Sequence, residues 1–322
     1  MGALRDLTVS QQVALLFVSL FGVLVLSTFA LFWRSLRLET QEQRESHAAI
    51  KRDLRAVWVG AGLFWVAWVL GGVVATLLFA VVSFLAFREF ITLSHTRRAD
   101  HRSLLLAFFV VLPAQFVLVG NRNFDLFTVF IPVYVFLAIP VVSAFGNDPQ
   151  RFLERTAKIQ WGIMVCIYGM SHAPALLLLN LPKYSDRGAF LVFYLVIVVA
   201  VAQLVQELAT RLLRRRPAAR AISRSFSWRA WWAGALAAAV VGAALYWATP
   251  FKPIPALVMG FIAGGCGTLG EFVMKALKRD AGVRNWGGKA SVTGAVGLLD
   301  RVAPLCFAAP VFFHAVRWYF GV

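Results

Sequence analysis

Long apolar runs follow one another along this chain with short polar segments between them, and this pattern constrains the fold more than any other feature. The chain has 322 residues, of which 60% are hydrophobic, and its mean hydropathy is +0.74. A run of about 20 apolar residues is long enough to cross a bilayer as a helix. Because lipid cannot pair with backbone N–H and C=O groups, such spans must be helical. We therefore predict an all-α, polytopic transmembrane helical bundle of about ten spans.

The apolar segment 56–87 decides the number of spans. A single helix over these residues would reach ~48 Å, which exceeds a hydrocarbon core of about 30 Å. Gly71 and Gly72 lie at its middle, so we predict two short helices joined by a tight turn. The predicted spans are 13–33, 56–71, 72–87, 104–120, 125–145, 160–181, 189–208, 230–248, 255–276 and 302–320.

The distribution of basic residues supports this division. With ten spans, the loops on one side of the membrane contain 25 of the 32 Lys and Arg residues, whereas the loops on the other side contain 4. Basic loops face the cytoplasm, so both termini are predicted to lie outside it. No small-residue cleavage site follows the first span, which we interpret as a retained anchor. The charged stretch 34–55 is predicted to be a surface helix that continues this span, which gives domains 1–55 and 56–322.

The net charge of +17 is typical of cytoplasmic loops that face anionic headgroups. The basic clusters contain no interleaved aromatic residues and no RNA-binding motif, so we do not expect a nucleic-acid partner. Cys166, Cys266 and Cys306 all lie in apolar spans, where their spacing fits neither a disulfide framework nor a metal site. The sequence leaves open whether the chain forms a homodimer.

A cationic segment between the last two spans carries the residues best suited to chemistry. Its bases could neutralise phosphate charge, its glycines could let backbone amides approach an anion, and Asp300 could bind Mg²⁺ through oxygen. Phosphoryl and nucleotidyl transfer depend on such positioning and charge neutralisation. A structural ion pair of Asp300 with Lys278 or Arg279 would explain the same residues. The candidates are Lys278, Arg279, Arg284, Gly294, Gly297, Asp300 and Arg301.

Two further groups of polar residues lie in predicted spans, where polar side chains are costly. Glu271 could pair with Lys275 one turn further on, or it could help to hold a metal ion. Pro174 is expected to bend the sixth span, which could turn Ser171 and His172 toward an internal cavity. Alternatively, the bend is structural and His172 bonds a neighbouring helix.

The C-terminal segment resembles the signature of the phosphatidate cytidylyltransferases, or CDP-diacylglycerol synthases. That signature reads Ser-x-x-Lys-Arg, then Lys-Asp, then Gly-His-Gly-Gly and Asp-Arg-x-Asp. Lys-Arg at 278–279 and Asp-Arg at 300–301 match its charged pairs, and Gly294 and Gly297 match its glycines. Four further segments look like one bacterial branch of the family: 83–90, 97–100, 131–137 and 152–174. The similarity therefore covers roughly residues 56–313.

The resemblance implies an enzyme of phospholipid synthesis that transfers CMP from CTP to phosphatidic acid and releases pyrophosphate. It implies a bacterial inner-membrane protein with its active face in the cytoplasm and membrane lipids around it. Asp300, Lys278 and Arg279 would be catalytic, and Asp300 with Glu271 would bind Mg²⁺. The substrate-binding residues would be Arg284, Arg301, Gly294, Gly297, Ser171 and His172.

The signature is incomplete in this chain. Lys275 stands at the position of its serine, Asn285 and Ala303 stand at two of its aspartates, and Ala295 stands at its histidine. Farther upstream, Gln203 replaces an intramembrane aspartate. Because metal-dependent transfer needs several oxygen ligands, these departures also fit a catalytically impaired relative that binds an anionic lipid or a partner protein.

Overall fold

A computed structural model describes residues 8–36, 40–94, 96–181, 187–213, 217–223, 226–282 and 297–322. Within these ranges the chain forms ten long helices and no β-strand. Eight of the helices are long and apolar enough to cross a membrane, which confirms the all-α transmembrane bundle. The helices are α1 (Val9–Ser35), α2 (Gln41–Leu70), α3 (Gly72–Leu93), α4 (Arg98–Gly120), α5 (Phe124–Ala144), α6 (Phe152–Leu178), α7 (Gly188–Leu213), α8 (Trp228–Ala244), α9 (Pro253–Asp280) and α10 (Leu298–Phe320).

The break between α2 and α3 falls at Gly71. Its φ of +91° lies in a region that glycine enters without a steric penalty, so the apolar segment 56–87 is two helices, as predicted. The count of about ten spans is approximate. The apolar part of α2, Val57–Leu70, is shorter than the eight membrane-length helices, and α8 has 17 residues.

The charged stretch 34–55 does not continue the first span, contrary to the prediction. Helix α1 ends at Ser35, and a new helix starts after Thr40. The Thr40 hydroxyl accepts the Gln43 N–H at 3.3 Å, and the Gln43 side chain accepts the Thr40 N–H at 3.3 Å. This reciprocal cap satisfies two N–H groups that a helix start leaves without partners. The charged residues after it therefore belong to α2, which runs on into the apolar residues that follow.

The chain divides into two compact units, Met1–Gly71 and Gly72–Val322. In the first unit, the rings of Phe17 and Trp65 join α1 to α2 with centroids 4.2 Å apart. In the same unit, Trp58 donates its indole N–H to the Thr28 hydroxyl at 3.0 Å. The first unit is therefore a pair of helices held by aromatic side chains.

Small residues let the helices of the second unit approach closely. A Cβ built on Gly264 of α9 would lie 2.5 Å from the Cβ of Ala238 in α8 and 3.0 Å from the Cβ of Ala202 in α7. Close backbone approach of this kind is a common mode of helix association in membranes. It fixes α9, whose carboxyl end carries Lys278, against its neighbours.

Three helices of the second unit contain a π-helical stretch in their middle, at Ala107–Val111, Phe130–Val135 and Ile163–Gly169. The sixth predicted span is not interrupted at its proline, because α6 continues through Pro174 to Leu178. Its irregular turn is the preceding π-helical stretch, and such stretches are themselves a cause of helix bending.

Candidate functional site

Helices α9 and α10 bring a base and an acid together across the segment that joins them. Lys278, in the last turn of α9, forms an ion pair with Asp300, in the first turn of α10. The helix dipoles favour a cation at a carboxyl end and an anion at an amino end, so each helix end stabilises its own residue. The side chains are 14% and 29% exposed, respectively. We call this contact the helix-end pair.

The other candidate residues of this segment lie at different distances along the chain from the helix-end pair, and two of them are not described. Arg279 and Arg301 follow the two paired residues in sequence and are exposed, so two further cations adjoin the pair along the chain. Gly297 lies immediately before α10 with φ +74°. Arg284 and Gly294 lie outside the described residues.

A buried carboxylate from α3 holds the start of α10. Glu89 is 3% exposed, and its two oxygens accept the N–H of Gly297 at 2.7 Å and the N–H of Leu299 at 3.0 Å. These N–H groups would otherwise be available to an anion, as the glycine-rich sequence suggested. No local sequence pattern predicts a role for Glu89, since its contacts lie more than 200 residues away along the chain.

Glu271 is held by two neighbours. Its carboxylate pairs with Lys275 at 2.7 Å, one turn further along α9, and accepts a hydrogen bond from the Gln203 amide of α7 at 3.0 Å. The pairing with Lys275 is the simpler of the two alternatives that the sequence offered. Both contacts satisfy the carboxylate without a metal ion.

The acidic residues here do not fit a resident Mg²⁺ site. Among the described residues, no three His, Cys, Asp or Glu side chains come close enough together to hold a metal ion. Asp300 faces an ammonium, Glu271 faces another, and Glu89 accepts backbone N–H groups. Mg²⁺ normally uses one or two carboxylates together with substrate phosphates, so these residues offer at most a partial ligand set.

Ser171 and His172 lie far from the helix-end pair. His172 is fully buried, its Nδ1–H donates to the Tyr168 carbonyl at 2.7 Å, and its ring lies 5.5 Å from the ring of His314. His314 is ~21 Å from Asp300 along α10 at 1.5 Å per residue. The Ser171 hydroxyl also donates to the Tyr168 carbonyl, at 2.8 Å. Both side chains therefore bond their own helix, and the Ser171 hydroxyl also accepts from the Gln115 amide of α4 at 3.2 Å.

Comparison with known proteins places the chain in a family. The profile of the Cytidylyltransferase family matches residues 50–319. The chain belongs to the cytidylyltransferase family. It is similar to the uncharacterized protein YnbB of Escherichia coli strain K12, with 31% identity over 246 residues, or 74% of this chain and 78% of that protein. Family membership and the apolar helices make it an integral membrane protein and support a nucleotidyltransferase activity in general.

Within this cytidylyltransferase family member, two departures from the signature meet at one carboxylate. Lys275, at the position of the signature serine, and Gln203, at the position of an aspartate, both contact Glu271. Ala303, at the position of another aspartate, is buried in the helix packing of α10. Relative to the signature that this chain resembles, two acidic positions are therefore replaced, and Glu271 is paired within the protein.

A second group of ion pairs joins the start of α4, the segment between α5 and α6, and the first turn of α6. Arg155 is 6% exposed and donates through Nε to Asp100 at 3.1 Å and through Nη1 to Asp148 at 2.7 Å. Arg97 also pairs with Asp148, at 3.2 Å. The Gln150 N–H and the two arginines hold the pKa of Asp148 below its usual range. We call this group the arginine network.

The arginine network was also missed as a structural unit by sequence reasoning. Two of its parts, 97–100 and 152–174, were noted in the family resemblance, but nothing in either segment shows that Asp100 contacts Arg155. The signal that could have suggested the network is that Arg and Asp residues occur together at both ends of the connected segments, as Arg97 with Asp100 and Asp148 with Arg155.

Proposed function

We propose that this cytidylyltransferase family member is a phosphatidate cytidylyltransferase, which transfers CMP from CTP to phosphatidic acid to make CDP-diacylglycerol. The family match over residues 50–319 supports the reaction class. The observation that carries the choice of site is the helix-end pair, which puts Lys278 next to Asp300 beside two exposed arginines. We place this site on the cytoplasmic face of a bacterial inner membrane.

The proposed chemistry needs charge neutralisation rather than a protein nucleophile. A phosphate oxygen of phosphatidic acid attacks the α-phosphorus of CTP and forms the new P–O bond. The bond from the α-phosphorus to the bridging oxygen breaks, and pyrophosphate leaves with the electron pair. Lys278, Arg279 and Arg301 would balance the negative charge of the triphosphate and the lipid phosphate, which is the main requirement of phosphoryl-group transfer.

Asp300 has two roles in this proposal. In the absence of substrate it holds Lys278, and when phosphate arrives the ammonium turns to the phosphate oxygens. If Mg²⁺ enters with CTP, Asp300 and Glu271 would be the residues available to contact it, and the ion would neutralise part of the triphosphate charge. Arg284 and Gly294 belong to the proposed substrate site by resemblance. A substrate role for Ser171 and His172 would concern the acyl chains, because they lie far along the helices from Asp300.

A non-catalytic function is the second candidate, and one observation favours it. The carboxylates of Asp300, Glu271 and Glu89 are already paired or hydrogen-bonded, and among the described residues no group of three metal-binding side chains occurs. A protein of this kind would bind phosphatidic acid through the same cations without transferring CMP.

The two candidates separate in one experiment. Purified protein in phosphatidic-acid vesicles is incubated with CTP and Mg²⁺, and CDP-diacylglycerol and pyrophosphate are measured, with ATP and phosphatidylcholine as substrate controls. We expect both products with CTP and phosphatidic acid, and loss of both with Asp300→Asn. Specific binding to phosphatidic acid without either product would favour the non-catalytic candidate.

A further inference from the structure

The cap at the start of α10 comes from a distant helix rather than from its own sequence. A helix leaves its first N–H groups without partners, and a side chain just before the helix usually accepts from them. The residue just before α10 is Gly297, which has no side chain to offer. Glu89 of α3 takes that place through both of its oxygens.

The turn of α3 around Glu89 is firmly packed. Ala86, which lies one turn before Glu89, is fully buried, as is Phe87, and Phe90 packs against Gly162 of α6, where an added Cβ would lie 2.6 Å from its ring. A carboxylate on such a turn has little freedom to move away. Its charge is favourable at a helix amino end, and hydrogen bonds to a charged acceptor are stronger than neutral ones.

The position of the cap determines where Asp300 lies. Leu299, whose N–H Glu89 accepts, is the residue immediately before Asp300. The first turn of α10 is therefore fixed to α3, while Lys278 approaches from α9. We propose that Glu89 is a positioning residue, which sets the first turn of α10 so that Asp300 and Arg301 face Lys278 and the substrate phosphates. This role rests on the proposed function of the helix-end pair.

A consequence concerns how phosphate is bound. Since the N–H groups of Gly297 and Leu299 are donated to Glu89, substrate phosphate does not take them. We therefore expect phosphate recognition here to depend on the side chains of Lys278, Arg279 and Arg301 rather than on these two N–H groups. This differs from sites in which the helix amino end itself binds the anion.

Hydrogen exchange tests the positioning role without any assay of activity. Exchange of the backbone amides in 297–303 is compared in the full-length protein, in Glu89→Gln and in Glu89→Ala. Asp100→Asn, a carboxylate of similar burial, and Glu154→Gln, an exposed one, serve as controls. We expect exchange to rise on the order of tenfold in Glu89→Ala and less in Glu89→Gln, because local opening controls exchange. Unchanged exchange in both Glu89 variants would overturn the proposal.

Kinetics then test the link to the site. A shifted first turn of α10 would weaken the contacts of its side chains with the triphosphate, so we expect KM for CTP to rise about tenfold in Glu89→Gln, the size of one charged hydrogen bond. A cap that only supports folding would lower the amount of active protein and leave KM unchanged, and that result would contradict the proposal. Asp100→Asn is expected to leave KM unchanged. If the unmodified protein makes no CDP-lipid, the proposed function fails, while hydrogen exchange still decides whether Glu89 positions α10.

Discussion

The arginine network and the helix-end pair are two sets of charges in the same unit of the protein, and they differ in how completely they are enclosed. The Arg155 side chain is 6% exposed and the Asp100 side chain 2%, and Arg155 donates through all three of its nitrogens. The helix-end pair is a contact between two side chains that are 14% and 29% exposed. Water and ions therefore have better access to the helix-end pair.

The difference indicates a division of roles. A buried guanidinium that is hydrogen-bonded through all three of its nitrogens cannot exchange its partners without leaving charges unpaired, which is costly. An ammonium beside a carboxylate in partial contact with water can exchange one oxygen for another at small cost. We therefore assign the arginine network to the fold, and the exposure of the helix-end pair agrees with the phosphate-binding role proposed for it.

The largest effect on stability is expected from Arg155→Met. Removal of one partner of a buried ion pair leaves Asp100 charged and buried, which typically costs about 3–5 kcal/mol. Unfolding in detergent should therefore shift strongly, and the double variant Arg155→Met with Asp100→Asn should recover part of the loss. If Arg155→Met were as stable as the unmodified protein, the arginine network would not stabilise the fold, which would contradict the role assigned to it.

Asp300→Asn should have the opposite effect, with a large loss of activity and a small change in stability. We expect CDP-lipid formation to fall on the order of 100-fold, as when one preorganised electrostatic group is lost. The free energy of unfolding should change by about 1 kcal/mol or less, because partly exposed pairs contribute little. Parallel measurements of kcat/KM and unfolding would check both, and a large loss of stability with unchanged activity would reverse the assignment.

Two lysines on α9 provide a finer test. Lys278 pairs across to α10, whereas Lys275 pairs with Glu271 of its own helix. Lys278→Met should raise KM for CTP about tenfold, the size expected for one charged hydrogen bond. Lys275→Met removes an equal charge from the same helix, and it should change the KM for CTP less. Equal effects in titrations with CTP would mean that overall positive charge, rather than the helix-end pair, binds the nucleotide.

The smallest effect is expected from an exposed pair in α6. Glu154 accepts from Lys158 at 2.6 Å, one turn further along. Glu154→Gln should cost about 0.3–0.5 kcal/mol, as for other exposed pairs one turn apart, and it should leave activity unchanged. A loss similar to that of Arg155→Met would show that enclosure does not separate the two kinds of ion pair.

Much of the fold followed from the sequence because the bilayer leaves a chain few options. Apolar length predicted helices, and the length of 56–87 with its two glycines predicted the break that occurs at Gly71. The error in 34–55 has a local cause. Charge composition does not tell which neighbouring helix a polar segment joins, and the Thr40 cap decided that it joins α2.

The candidate site was only partly predictable. The sequence offered a Lys278–Asp300 pair and a Glu271–Lys275 pair as alternatives to metal binding, and both pairs form. Helical periodicity makes the second pair visible, since its members lie one turn apart. The first pair was suggested by charge alone, with Arg279 as an equal candidate for Asp300.

The sequence by itself determined that this protein is a helical membrane protein and which charges lie near its helix ends, because hydrophobic length and charge act locally along the chain. Only the tertiary structure decided that Glu89 caps α10 and that Arg155 binds Asp100. Those contacts join residues 208 and 55 positions apart, and helix packing, rather than any local pattern, brings them within hydrogen-bond distance.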